Sequence, residues 1–294
     1  MTAQRDRLAG AGAQLATEVS INFGSSLAGL AIPLVGSPVV VAVRQLVMAC
    51  VVLPFYRPKL ANLSWRRLWP ALALGLVLAI MNLTFYEAVD LLGLGVAATI
   101  EFLGPFALAL ASSRRPIDFI CASAAAAGVF LLTWSAGELN LLGILFALAA
   151  AASWAAYILL TRRVAVTFPG LEGISVASVV SLTLLVPFAL VTVDYSSLNW
   201  SVVGLLLAVG VLSSAFPYTL DTYILRRITP RLYAIITSFG PVVAALFGAL
   251  VLGETFLVQQ VVAIVVVCTA AGVSIATQRD RPKSDLEITA GAIS

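Results

Sequence analysis

Apolar residues fill ten long runs, at about 13–33, 38–56, 68–89, 91–112, 117–136, 140–161, 173–193, 200–222, 232–252 and 256–277, with short polar segments between them. A helix needs about 20 apolar residues to cross hydrocarbon, and runs of this length without period-two alternation read as helices. Several are rich in valine and isoleucine, yet an open strand would leave its backbone groups unsatisfied in lipid. The pattern predicts an all-α integral membrane protein with ten transmembrane helices.

Charge placement agrees with that count. Arg5 and Arg7 precede the first run, and Arg57, Lys59, Arg66 and Arg67 follow the second. Arg114 and Arg115, Arg162 and Arg163, then Arg226, Arg227 and Arg231 fall at every other connection, and Arg279, Arg281 and Lys283 lie beyond the last run. Sixteen of the 17 basic residues thus lie on one side, and Arg44 is the exception. The opposite connections carry Asp90, Glu138, Asp194 and Glu254. By the positive-inside rule both termini are expected in the cytoplasm, with residues 1–12 and 278–294 as tails. The first span is expected to act as an uncleaved signal anchor.

Ten spans divide into five and five, residues 13–136 and 140–277. Gly104-Pro105 in the fourth run and Gly240-Pro241 in the ninth are 136 residues apart and occupy the same ordinal helix of each half. Because five is odd, the halves enter the membrane in opposite senses, which predicts two inverted five-helix repeats. That is the plan of alternating-access carriers, with substrate held near the midplane between the halves.

Composition narrows the chemistry. The chain is 61% apolar and 11% charged, against roughly 45–50% and 25% in a soluble domain. It has no histidine, which removes histidine triads, HExxH zinc sites and haem ligation. Lys59 and Lys283 lie in polar segments, and no GxxxxGK[ST] phosphate loop occurs. Cys50, Cys121 and Cys268 sit singly in apolar runs and read as core residues. No cofactor or metal is expected, and the net charge of +3 marks topology rather than a nucleic-acid surface.

Function is therefore sought among polar residues inside spans, where an ionised group costs about 2.5–3.5 kcal/mol on insertion scales. In the first span Glu18, Asn22, Ser25 or Ser26, and Gly29 share a face, which is either a packing face or the wall of a cavity. Arg44 either snorkels to the outer interface or pairs with Glu18, Glu87 or Glu101 and, during transport, with a substrate carboxylate. Glu101 lies three residues before Gly104-Pro105, where proline removes a helical hydrogen bond. It reads as a proton carrier, as the anchor of a substrate ammonium, or as a structural partner of Arg44. Asn82, Tyr86 and Asp90 recur at four-residue steps beside Glu87, which is a second carboxylate for proton coupling. Trp154 and Tyr157 form the second-half counterpart of the Glu18 face, as packing or as ligand contact. Ser214, Pro217, Tyr218 and Asp221 share a face of the eighth span, where Pro217 is placed to kink the helix. All ionised groups of this inventory except Asp221 fall in the first half.

The Gly-Pro pairs and the triplet Leu252-Gly253-Glu254 resemble the EamA-type transporters of the drug/metabolite transporter superfamily. More narrowly, PLVGSP at 33–38, MNLTFYEA at 81–88 and EFLGPFALALASSRRPIDF at 101–119 are similar to the bacterial threonine/homoserine exporter branch. The resemblance covers residues 15 to 277 and implies an inner-membrane exporter of small amino acids driven by the proton gradient. Its partners are then a small amino acid, protons and the lipid bilayer, with the oligomeric state open. The competing readings are a carrier of another metabolite, such as aromatic amino acids or drug-like solutes, and a membrane enzyme. Enzyme chemistry would have only isolated carboxylates to work with.

Overall fold

A computed structural model describes residues 2–54, 64–111, 116–134, 140–168, 172–217 and 227–277, with Leu220 and Ile224 between the last two segments. Helix α1 runs Thr2–Val35, starting well before the expected first span. It stops at Gly36, where φ is 83°, and α2, Ser37–Val52, begins with a proline in its first turn. Proline's fixed φ suits that position, and glycine tolerates the positive φ that other residues resist. Helix α3 spans Trp65–Leu92 and ends at Gly93, φ 82°. The fourth run is two helices, α4 (Leu94–Glu101) and α5 (Leu103–Ala111), and α6 is Pro116–Trp134.

Beyond these come α7 (Leu141–Thr167), α8 (Glu172–Thr192), a 3₁₀ turn at Tyr195–Ser197 and α9 (Trp200–Gly210). Asn140 and Asn199 cap α7 and α9 by accepting from the Gly143 and Val202 amides at 3.1 and 3.0 Å, so each helix starts where its sequence offers an Asx cap. Asp194 accepts from Ser196 and Ser197 at the 3₁₀ turn, and these bonds hold its carboxyl below the usual range. Helix α9 continues as a π-helical turn, Val211–Ala215. The ninth run breaks into α10 (Pro230–Thr237), α11 (Gly240–Phe247) and a π turn, Gly248–Leu252, before α12, Val258–Thr277.

Among the described residues six helical segments are long and apolar enough to cross a membrane, and four shorter apolar helices accompany them. Side chains such as Phe119, Val191 and Val258 are exposed, as lipid-facing positions of a bundle are. The protein is a nearly all-helical, multi-pass membrane protein. Helix α3 packs along α7 and α8, α2 along α8 and α9, and α6 along α12. Helix α1 lies against α9, α10 and α11, while α7 lies against α4 and α5.

The two helix breaks are alike in detail. At Phe102 φ and ψ are −63° and −16°, and its N–H points to the carbonyls of Ala98 and Ile100. At Ser238 they are −63° and −15°, and its N–H points to the carbonyls of Ala234 and Ile236. In each case a Gly-Pro pair follows two residues later, and a proline supplies no N–H to the carbonyl four residues back.

Candidate functional site

Arg44 organises the polar interior. It is half-buried on α2 and faces α3 and the π turn after α9. Its Nε donates to Ser214 Oγ at 2.8 Å and its Nη2 to the Ser213 carbonyl at 2.9 Å. Its Nη1 donates to Asn82 Oδ1 at 2.8 Å and to the Tyr86 hydroxyl at 3.2 Å. The guanidinium also lies 5.7 Å from the Tyr86 ring centroid, within cation–π range.

Local sequence explains each partner. Asn82 and Tyr86, four apart on α3, share one face, and both are buried. Asn82 is steadied by donating its amide to the Leu78 carbonyl at 2.8 Å. Ser213 stands four residues before Pro217, which is itself buried and cannot make the helical bond to the Ser213 carbonyl. That carbonyl is thereby left for Arg44. The described partners of Arg44 are all neutral, which differs from the carboxylate pairing expected for the resting state. Glu101, half-buried at the end of α4, lies within range of the Arg44 charge.

Glu18 occupies a second polar position. It is buried on α1, and its Oε1 accepts from Gln14 Nε2 at 3.1 Å. The same Gln14 nitrogen donates to Thr237 Oγ1 at 3.2 Å. A Cβ on Gly240 would stand 3.3 Å from Glu18 Oε2, so the carboxylate rests against the break that ends in Gly240-Pro241. Asn22 spends its amide on its own helix, donating to the Glu18 carbonyl at 2.9 Å.

Trp154 on α7 meets the other break. Its ring contacts Phe102 edge-on with centroids 6.1 Å apart, one residue from Glu101. Gly104 lies so close to the Ala151 carbonyl of α7 that no Cβ fits there, and Pro105 is half-buried. Tyr157 packs with the cluster of Leu74, Leu78 and Ala177. Glu87 is not placed with Tyr86: it lies near Ser37, at the start of α2, and near Asp90. Tyr218 and Asp221 lie outside the described residues.

Several polar contacts were not singled out in the sequence. Gln14, Ser213 and Thr237 contribute through tertiary contact alone. Asp118, buried at the start of α6, accepts from Ser274 Oγ of α12 at 2.7 Å. It lies inside the fifth apolar run, where a carboxylate was a usable signal. Glu254 accepts from the Leu94 and Gly95 amides. Burial pushes its carboxyl up, and those two N–H groups oppose the shift.

Two helices broken at Gly-Pro pairs and an arginine held by neutral groups, inside a multi-pass helical bundle, are features of membrane carriers. Residues 141–276 match the model of the EamA-like transporter family. The chain is 36% identical over 267 residues to the threonine/homoserine exporter RhtA of Salmonella typhimurium strain LT2, covering 90% of each. To the exporter of the same name from Escherichia coli K12 it is 33% identical over 278 residues, covering 93% of this chain and 94% of that one. A solved crystal structure is similar in fold, with a TM-score of 0.61 and 20% identity over 90% of this chain and 96% of that chain. The chain belongs to the EamA-like transporter family, and it is a transporter rather than an enzyme.

Proposed function

We propose that the protein exports small amino acids of the threonine/homoserine type across the bacterial inner membrane by proton-coupled alternating access. The observation that carries this reading is the Arg44 cage. A guanidinium held in place by Asn82, Tyr86, Ser213 and Ser214 keeps its charge for an anionic ligand, and bidentate capture of a carboxylate suits its planar fork. Glu18 and Glu101 supply negative charge for the substrate ammonium and for the proton. Relatives over nine-tenths of the chain carry the names of threonine and homoserine exporters.

The architecture we infer is ten spans in two inverted five-helix repeats, residues 13–136 and 140–277, with both termini cytoplasmic. Three features support it. The caps at Phe102 and Ser238 are alike and 136 residues apart. Glu18 and Trp154 are also 136 apart, and each faces the broken helix of the other half. Finally, α1 against α11 and α7 against α4 are the same contact seen from the two halves. In this reading the breaks at Gly104-Pro105 and Gly240-Pro241 are the points about which the halves rock, and the Pro217 kink holds one wall of the cage.

Counterflow in proteoliposomes tests the reading directly. Liposomes loaded with unlabelled threonine or homoserine should accumulate labelled threonine transiently. A purified, correctly inserted protein that gives no counterflow with either amino acid would overturn it.

A further inference from the structure

The turn before α12 carries a carboxylate that the transport scheme above leaves without a task. Gly253 sits at φ 70°, and the chain folds back there so that the Glu254 N–H donates to the Gly248 carbonyl at 3.0 Å. The side chain then reaches across to the first turn of α4, where the Leu94 and Gly95 amides donate to its two oxygens. Gly248 leaves no room for a Cβ beside that carboxylate, and a Cβ on Gly93 would stand 2.9 Å from Oε1.

The contrast with the ninth run is informative. Helix α10 is capped by its own Thr229, which accepts from the Leu232 amide at 3.3 Å. The corresponding residue at the start of α4 is Gly93, which has no side chain and makes no such bond. A helix start without its own cap leaves N–H groups that favour a negative partner. Here the partner is borrowed from the opposite half. Helix α4 is eight residues long and ends in Glu101, so a tie at its start also fixes where Glu101 stands, about 10 Å away at 1.5 Å per residue.

We propose that Glu254 is a positioning residue for transport, a latch that joins the α3–α4 turn to the turn before α12, closes that end of the bundle and must release during the cycle. The proposal rests on the alternating-access reading, in which the two halves separate at one end at a time.

The test uses the full chain with Cys50, Cys121 and Cys268 replaced by serine and a cysteine at Val96, a buried position in the first turns of α4. Intact cells are treated with a membrane-impermeant maleimide. Glu254→Ala should raise the labelling rate at position 96 at least fivefold, and Glu254→Gln, which keeps one acceptor oxygen, should fall between. If the alanine variant does not accumulate in the membrane, the Gln variant carries the comparison. Chains retaining only Cys268, buried in α12, should stay protected with or without Glu254.

Equal labelling at position 96 with and without Glu254 overturns the latch, as does a parallel rise at Cys268, which signals general loosening. Labelling needs no substrate, so the outcomes separate. Faster labelling at position 96 with no counterflow in the parent protein leaves the latch standing and removes the amino-acid reading.

Discussion

Arg44 Nη2 holds the Ser213 carbonyl at 2.9 Å, and that carbonyl is the one Pro217 cannot engage. The proline and the arginine are therefore coupled although they lie on different helices. Pro217→Ala restores a competing N–H donor, and with it a rival for the carbonyl. A hydrogen bond to a charged group is worth roughly 1.5–3 kcal/mol, so the half-saturating threonine concentration in counterflow should rise about tenfold. An unchanged value would show that the carbonyl does not hold Arg44 in its working position.

Arg44→Lys keeps the charge and loses the fork. A lysine ammonium cannot reach Ser214, Asn82 and the Ser213 carbonyl in one plane, as the guanidinium does. Efflux of labelled threonine should fall by a factor of about ten or more, as expected from the loss of one or two charge-assisted bonds, while the amount in the membrane stays the same. Efflux above half the parental rate would place the substrate carboxylate elsewhere.

Glu101→Gln should separate exchange from accumulation. Glutamine cannot carry a proton, yet it matches the glutamate in size at the end of α4. Accumulation driven by an imposed pH gradient should be lost and counterflow retained. Gradient-driven transport at the parental rate would remove Glu101 from coupling.

The two Gly-Pro breaks should differ in tolerance. A Cβ at Gly104 collides with the Ala151 backbone carbonyl, whereas one at Gly240 meets only the Glu18 carboxylate at 3.3 Å. Gly104→Ala should destabilise the protein by about 1–3 kcal/mol, the usual range for overpacking, seen as a lower melting temperature in detergent. Gly240→Ala should melt near the parent and alter transport instead, by pressing on Glu18. Equal melting temperatures for both variants would contradict this assignment.

Helix positions and the polar residues inside them could be read along the chain, because lipid demands long apolar segments and penalises every ionised group placed within them. Arg44, Asn82 and Tyr86 came forward in this way, and the structure brings all three together. So did both Gly-Pro breaks, since a missing N–H is a property of the residue itself. Tertiary structure alone decided which groups answer one another. That Arg44 takes Ser213 and Ser214 from a π turn, that Glu18 rests against Gly240, and that Glu254 caps α4 are all contacts between residues more than 150 positions apart. Periodicity orders side chains around one helix, and it carries no information about the rotation and depth at which a distant helix docks. Those are set by close packing, which is why the ionic residues were legible singly and their partners were not.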